Sequence, residues 1–265
     1  MQQETKRKKS RHTLVIIIML EFILAGAGLS YLVLKNQDQQ EDPLLKEETV
    51  IEYFTEAPET EIEYFVPQPE ISEQLLTVNE YSRPGKKISR LEYIVIHYLA
   101  NPKTTAQENH DYFESLKDLK NVSMSANYVV GLKGEIIHCV PDDEIAFASN
   151  RANSYSISIE NCHPDESGRF TDATYRSLVK LVAYLSEKYG LDREHIIRHY
   201  DVTEKNCPKY FVEHEDAWEK FRDNVMNYRQ QCKDEILEQI ALEKSKETEF
   251  TQLEEFLAEN AGIEE

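Results

Sequence analysis

Three residues far apart in this chain have the chemistry of one metal centre. His199 and Cys207 bracket the stretch His199-Tyr-Asp-Val-Thr-Glu-Lys-Asn-Cys207-Pro208, and His97 ends the apolar run Tyr93-Ile-Val-Ile-His97. Two imidazoles and a thiolate form a three-ligand zinc set. Such a set leaves the fourth tetrahedral position open, which separates catalytic from structural zinc. Only a folded domain can bring His97 to the other two, so a short zinc-finger clip is excluded. Each ligand also has a bland reading. A lone histidine on a strand is usually structural, and the separation of His199 from Cys207 is not a standard short zinc spacing.

The rest of the chain divides by composition. It has 265 residues with 49 Asp+Glu against 30 Lys+Arg, a net charge of −19. That balance argues against nucleic acid, whose phosphates need Lys and Arg, and against adhesion to an anionic surface by simple attraction. Residues 1–12 are nevertheless basic, through Lys6, Arg7, Lys8, Lys9 and Arg11. The apolar run 13–34 follows, close to the roughly 20 residues of a membrane helix, with Glu21 its only charged residue. Charge bias puts the basic end in the cytoplasm and everything after the run outside. Ala25-Gly26-Ala27 resembles a signal-peptide cleavage site. Leu29, Tyr31, Leu32 and Val33 prolong the run beyond it, which favours an uncleaved anchor.

Residues 35–85 read as an acidic extracellular linker rich in Glu, Gln, Thr and Pro, in which Glu52-Tyr53-Phe54 recurs as Glu63-Tyr64-Phe65. From residue 86 the texture changes. Tyr93–His97 is a β-branched run, hence a buried strand. Ala106–Leu119 reads as a helix, and 126–131 and 135–140 as strands joined by a turn at Gly131-Leu132-Lys133-Gly134. Ser156-Ile-Ser-Ile-Glu160 alternates as a strand does. Thr171-Asp172 starts a helix whose apolar stripe is Tyr175, Leu178, Leu181, Val182 and Leu185, and Gly190 ends it. Ile196–His199 is a short strand end, and a further helix runs from Glu213 to Tyr228. Strands interleaved with helices predict an α/β (α+β) domain over 86–229, with helices flanking a mixed central sheet. Residues 230–265 read as an acidic, partly helical tail.

Two neighbours strengthen the metal reading. Glu160 ends a strand otherwise made of Ser and Ile. An inward carboxylate beside a metal can act as general base toward water. Lys205, two residues before Cys207, could stabilise an oxyanion. The bland alternatives are a solvent-facing lysine and a carboxylate paired with Arg198 or Arg169.

Together these pieces resemble the zinc-dependent N-acetylmuramoyl-L-alanine amidases of the type-2 amidase family, which includes the peptidoglycan recognition proteins. The resemblance rests on Tyr-Ile-Val-Ile-His97-Tyr, Ser125-Ala-Asn-Tyr-Val-Val, Gly134-Glu-Ile-Ile-His-Cys-Val-Pro141 and Ala146-Phe-Ala-Ser-Asn150. It continues through Ser156-Ile-Ser-Ile-Glu160, Ile197-Arg-His199-Tyr-Asp-Val and Asn206-Cys207-Pro208. It implies zinc on His97, His199 and Cys207, with Glu160 activating water and Lys205 assisting at the carbonyl. The implied reaction is hydrolysis of the amide between the lactyl group of N-acetylmuramic acid and the first L-alanine of the stem peptide. Asn127, Asn150 and Arg151 are the expected substrate contacts. The chain departs from many relatives at Asn127, where they carry His, and at Ala126, near which phage-type members place a Tyr. The expectation is a cell-membrane, single-pass amidase with its domain outside, acting on peptidoglycan and not nucleic acid. The alternative is a recognition module that binds peptidoglycan without cutting it. Cys139, Cys162 and Cys232 remain; spacing does not say whether Cys139 and Cys162 pair.

Overall fold

A computed structural model of the chain describes residues 65–260. The apolar run 13–34, the first Glu-Tyr-Phe copy and most of the expected linker lie outside the described residues. Among the described residues no helix is long and apolar enough to cross a membrane.

Six short strands form one mixed sheet. They are β1 (Ser72–Glu73), β2 (Tyr93–Ile96), β3 (Tyr128–Val130), β4 (Ile136–His138), β5 (Ser156–Asn161) and β6 (Ile196–Arg198), in the order β1-β4-β3-β5-β2-β6. Only β3 and β4 pair antiparallel, through the expected hairpin; β2 is parallel to both β5 and β6. Helices cover both faces: α1 (Ala106–Leu119) on one, α2 (Asp172–Lys188) and the start of α5 (Glu215–Asn260) on the other. Two short helices, α3 (His199–Thr203) and α4 (Lys209–Glu213), flank the Cys207 loop.

Strand alternation sorts the core. Tyr128, Val130, Ile136, Ile157 and Ile159 join Leu178, Leu181, Trp218 and Phe221 on the α2–α5 side. Val129 and Ile137 join Phe113 on the α1 side. The helix boundaries follow their caps. The Thr105 side chain accepts from the Glu108 amide, and the Glu108 side chain accepts from the Thr105 amide, a capping box at the start of α1. Thr171 Oγ1 accepts from the Thr174 amide at the start of α2, and Gly190, at φ +64°, follows its end.

Two boundaries differ from the sequence expectation. Residues 66–85, polar enough to read as linker, are packed against the domain. Val66 and Leu76 are each 1% exposed, β1 pairs with β4, and Arg83 forms a partly buried ion pair with Glu144 at 2.8 Å. A few well-spaced apolar residues suffice to seat a strap, and average composition hides them. At the other end, the helix expected to stop near Tyr228 continues to Asn260, so the boundary at 229/230 falls inside α5.

Candidate metal centre

The register of three parallel strands builds the site. Val95 is opposite Ser158 on β5 and Ile197 on β6, and Ile96 is opposite Ile159 and Arg198. One step further along each strand come His97, Glu160 and His199. Successive residues alternate faces, so all three project to the same side at the carboxyl ends of adjacent strands. The His97 and His199 rings lie 4.8 Å apart, and His97 Nδ1 is 4.0 Å from Glu160 Oε1. The loop after α3 then carries Cys207 back over His97, with Sγ 3.8 Å from His97 Nδ1.

The donor set fits a metal. One ligand atom from each of His97, His199 and Cys207 lies within 4.8 Å of the others, and all three residues are buried. Tetrahedral zinc with bonds of about 2.0–2.3 Å would need separations of about 3.3–3.8 Å, so small side-chain adjustments close the set. The other nitrogen of each imidazole is already engaged. His199 Nε2 donates to Asn150 Oδ1 at 2.8 Å, and His97 Nε2 is 2.9 Å from Ser149 Oγ, itself 2.7 Å from Ser158 Oγ. Both Nδ1 atoms therefore face the centre, and that of His199 is buried without a hydrogen-bond partner. An orphaned buried acceptor is costly, and a metal ion would satisfy it.

Electrostatics point the same way. Burial, followed by the charge of Lys205, pulls the His199 imidazole down to about 4. Burial lowers His97 well below the ordinary range, helped by His199 and Lys205. Both imidazoles are thus neutral, the form a metal takes. Burial pushes the Cys207 thiol up to about 12, with Glu160 adding to the rise and the Tyr98 amide and Lys205 opposing it. Burial likewise raises Glu160 to about 8 against the pull of Lys205, and its Oε2 has no hydrogen-bond partner. Neither arginine offered as a structural partner reaches Glu160. Arg198 pairs with Asp201 and Glu215, and Arg169 lies over the Tyr210 ring.

The expected substrate contacts fare differently. Asn127 is fully buried: its Oδ1 accepts from the Ser158 amide, and its Nδ2 donates to the carbonyls of Val140, Pro141 and Glu144. It ties β3 to β5 and the loop after β4 and cannot reach a substrate. Asn150 accepts from His199 Nε2, from a left-handed backbone at φ +50°. Arg151 beside it is exposed and has no ion-pair partner among the described residues, which leaves it available at the rim. Lys205 is exposed on its loop. Sequence reasoning missed Ser149 beside His97 and the Tyr98 amide beside Cys207; no spacing announces either.

A family profile described as N-acetylmuramoyl-L-alanine amidase matches residues 87–210. The chain is 34% identical over 169 residues to N-acetylmuramoyl-L-alanine amidase CwlL of Bacillus licheniformis, covering 59% of this chain and 46% of that protein. It is 32% identical over 171 residues to N-acetylmuramoyl-L-alanine amidase BlyA of Bacillus subtilis, covering 57% and 45%. The chain thus spans about half the length of the curated relatives it matches. Among solved structures, the PlyG catalytic domain aligns with a TM-score of 0.53 at 24% identity, over 61% of this chain and 96% of that one. PlyL aligns with a TM-score of 0.52 at 23% identity, over 59% and 97%. At those identities the two structures speak to the fold alone, and they share it. Profile and relatives coincide on one segment: residues 87–210 match the N-acetylmuramoyl-L-alanine amidase family, and the solved structures share the fold there.

Proposed function

We propose that this protein is a zinc-dependent N-acetylmuramoyl-L-alanine amidase that hydrolyses the lactyl–L-alanine amide of peptidoglycan. The observation that carries the reading is the row His199, His97 and Glu160 in strand register, closed by Cys207. A neutral His₂ plus thiolate set suits zinc, and a free carboxylate beside it suits hydrolysis.

Bound there, zinc would supply Lewis acidity toward the scissile carbonyl and lower the pKa of water. The protein's own groups do the rest. Ser149 and Asn150 fix the two imidazoles by their far nitrogens, the usual way of orienting a ligand histidine. Glu160 is placed to take the proton of the attacking water and return it to the leaving amine. Its burial raises its basicity, and a cation beside it would restore its charge at neutral pH. Lys205, whose charge is felt by His97, His199, Glu160 and Cys207, is placed to steady the oxyanion. Arg151 is offered at the rim for a stem carboxylate.

Glu160→Gln tests these roles: turnover of a soluble muropeptide is expected to fall at least about 100-fold while zinc still binds. Binding of uncut peptidoglycan by the zinc-loaded native protein would favour the recognition reading instead.

For location, the basic residues 1–12 and the apolar run 13–34 support a single-pass anchor with the domain outside the cell membrane. Cleavage of the domain by protease added to intact wall-stripped cells would bear this out; protection would count against it.

A further inference from the structure

A cleft runs between α2 and α5, and none of His97, His199 and Cys207 lines it. Its upper part is a cavity of about 420 Å³ walled by Phe170, Phe211, Tyr175 and Tyr210. A second cavity of about 330 Å³ continues it, sharing Tyr175 and Asn224 with the first and adding Val179 and Tyr228. The α5 wall is a single stripe, Lys220, Asn224, Asn227, Tyr228 and Gln231, at helical spacing. From Asp216 to Gln231 that wall is about 22 Å long at 1.5 Å per residue.

Charge distinguishes this cleft from the rest of an acidic chain. Arg169, Arg176, Lys180 and Lys220 line it, all exposed, and none has an ion-pair partner among the described residues. Of the described arginines outside the cleft, Arg83, Arg90, Arg193, Arg198, Arg222 and Arg229 are ion-paired, and only Arg151 is not. The two carboxylates at the upper cavity, Asp172 and Asp216, occupy the first turns of α2 and α5, where helix dipoles favour negative charge. The acids thus have a structural reason to be there; Arg169 lies over the Tyr210 ring, and Arg176, Lys180 and Lys220 have no ion-pair partner among the described residues.

Tyrosine faces suit sugar rings, side-chain amides suit hydroxyls, and unpaired cations suit carboxylates. We propose that the α2–α5 cleft is a second, non-catalytic binding site for an anionic glycan, namely uncut peptidoglycan, whose saccharide backbone carries carboxylate-bearing peptides. The identity of this polymer rests on the amidase reading. The cleft begins near the metal centre, because Gly168 and Lys209, which pack together beside Tyr98, immediately precede Arg169 and Tyr210. A bound strand would hold the enzyme on polymer while the metal centre works on one unit, giving a preference for wall over released fragments.

The test is the double substitution Arg176→Glu with Lys180→Glu, made in the whole chain and again in a Glu160→Ala background. Sedimentation of the Glu160→Ala protein with purified peptidoglycan sacculi reads the cleft without turnover. The double variant should bind at least about tenfold more weakly at low salt, and the loss should shrink as salt screens the wild type. In the Glu160 background the kcat/KM on a soluble muropeptide is not needed; with Glu160 intact it should be unchanged. Equal sedimentation of both proteins overturns the proposal, as does a parallel fall in muropeptide turnover, which would mean damage to the metal centre. If the native enzyme cuts nothing, the amidase reading fails, and sedimentation still decides whether the cleft binds the polymer.

Discussion

His199 Nε2 donates to Asn150 Oδ1 at 2.8 Å, and this one hydrogen bond turns the opposite nitrogen toward His97 and Cys207. Asn150 pays for the position with a left-handed backbone at φ +50°, a conformation Asn tolerates better than most residues. Asn150→Gly removes the hydrogen bond without adding strain. Zinc affinity, measured by chelator competition, is expected to fall about 10- to 100-fold, while the melting temperature of the metal-free protein stays the same or rises. An unchanged affinity would mean that Asn150 does not orient the ligand.

Proton release on metal binding follows from the pKa shifts. The two imidazoles are neutral before the metal arrives, His199 being held down at about 4, so neither has a proton to lose at pH 7. Cys207, pushed up to about 12, must lose one. Glu160, raised to about 8, is mostly protonated at pH 7 and mostly ionised at pH 9, and a neighbouring cation drives its proton off. Calorimetry in buffers of different ionisation enthalpy should therefore count about one proton more for the native protein than for Glu160→Gln at pH 7, and about the same number for both at pH 9, beyond the protons of the Cys207 thiol and of metal-bound water. Release near zero in the native protein would contradict the thiol ligand.

Cys139 and Cys162 are free, fully buried thiols, each raised by burial to about 12. Thiolate is the reactive form, so neither should react with iodoacetamide at pH 8 in the folded protein. All four cysteines should react after unfolding. A Cys139–Cys162 disulfide found by non-reducing peptide mapping would contradict this arrangement.

Leu76 lies in the strap that composition assigned to linker, yet it is 1% exposed among Phe113, Val129 and Ile137. Leu76→Ala should cost about 2–5 kcal/mol in urea unfolding, the range for a buried leucine. A true linker residue would cost almost nothing. A chain begun at residue 86 would also lose Val66, β1 and the Arg83–Glu144 pair, and should be less stable than one begun at 65.

The parts of this domain that were legible are those written in local pattern. The Ser-Ile-Ser-Ile-Glu alternation puts Glu160 on the face opposite Ile157 and Ile159, and the structure keeps it there. The stripe from Tyr175 to Leu185, capped by Thr171, gave α2. Register was not legible: nothing in Tyr93–His97 says that it pairs with Ser156–Glu160 so that His97 and Glu160 fall in one row. Asn127 misled for a related reason. A polar side chain between two strands reads like a ligand contact, but its partners are backbone groups of segments that sequence cannot place. The strap and the continuous α5 were hidden by average polarity, since a handful of spaced apolar residues decides such packing.

We propose that His97, His199 and Cys207 hold the metal of a peptidoglycan amidase. The most direct test incubates the purified protein with purified peptidoglycan, with zinc or with chelator, and reads the products by mass spectrometry. The expected products are stem peptides with a free N-terminal alanine and unbroken glycan strands stripped of peptide, neither of them formed with chelator or by Cys207→Ala. Peptidoglycan that is bound but uncut by the zinc-loaded native protein would contradict it.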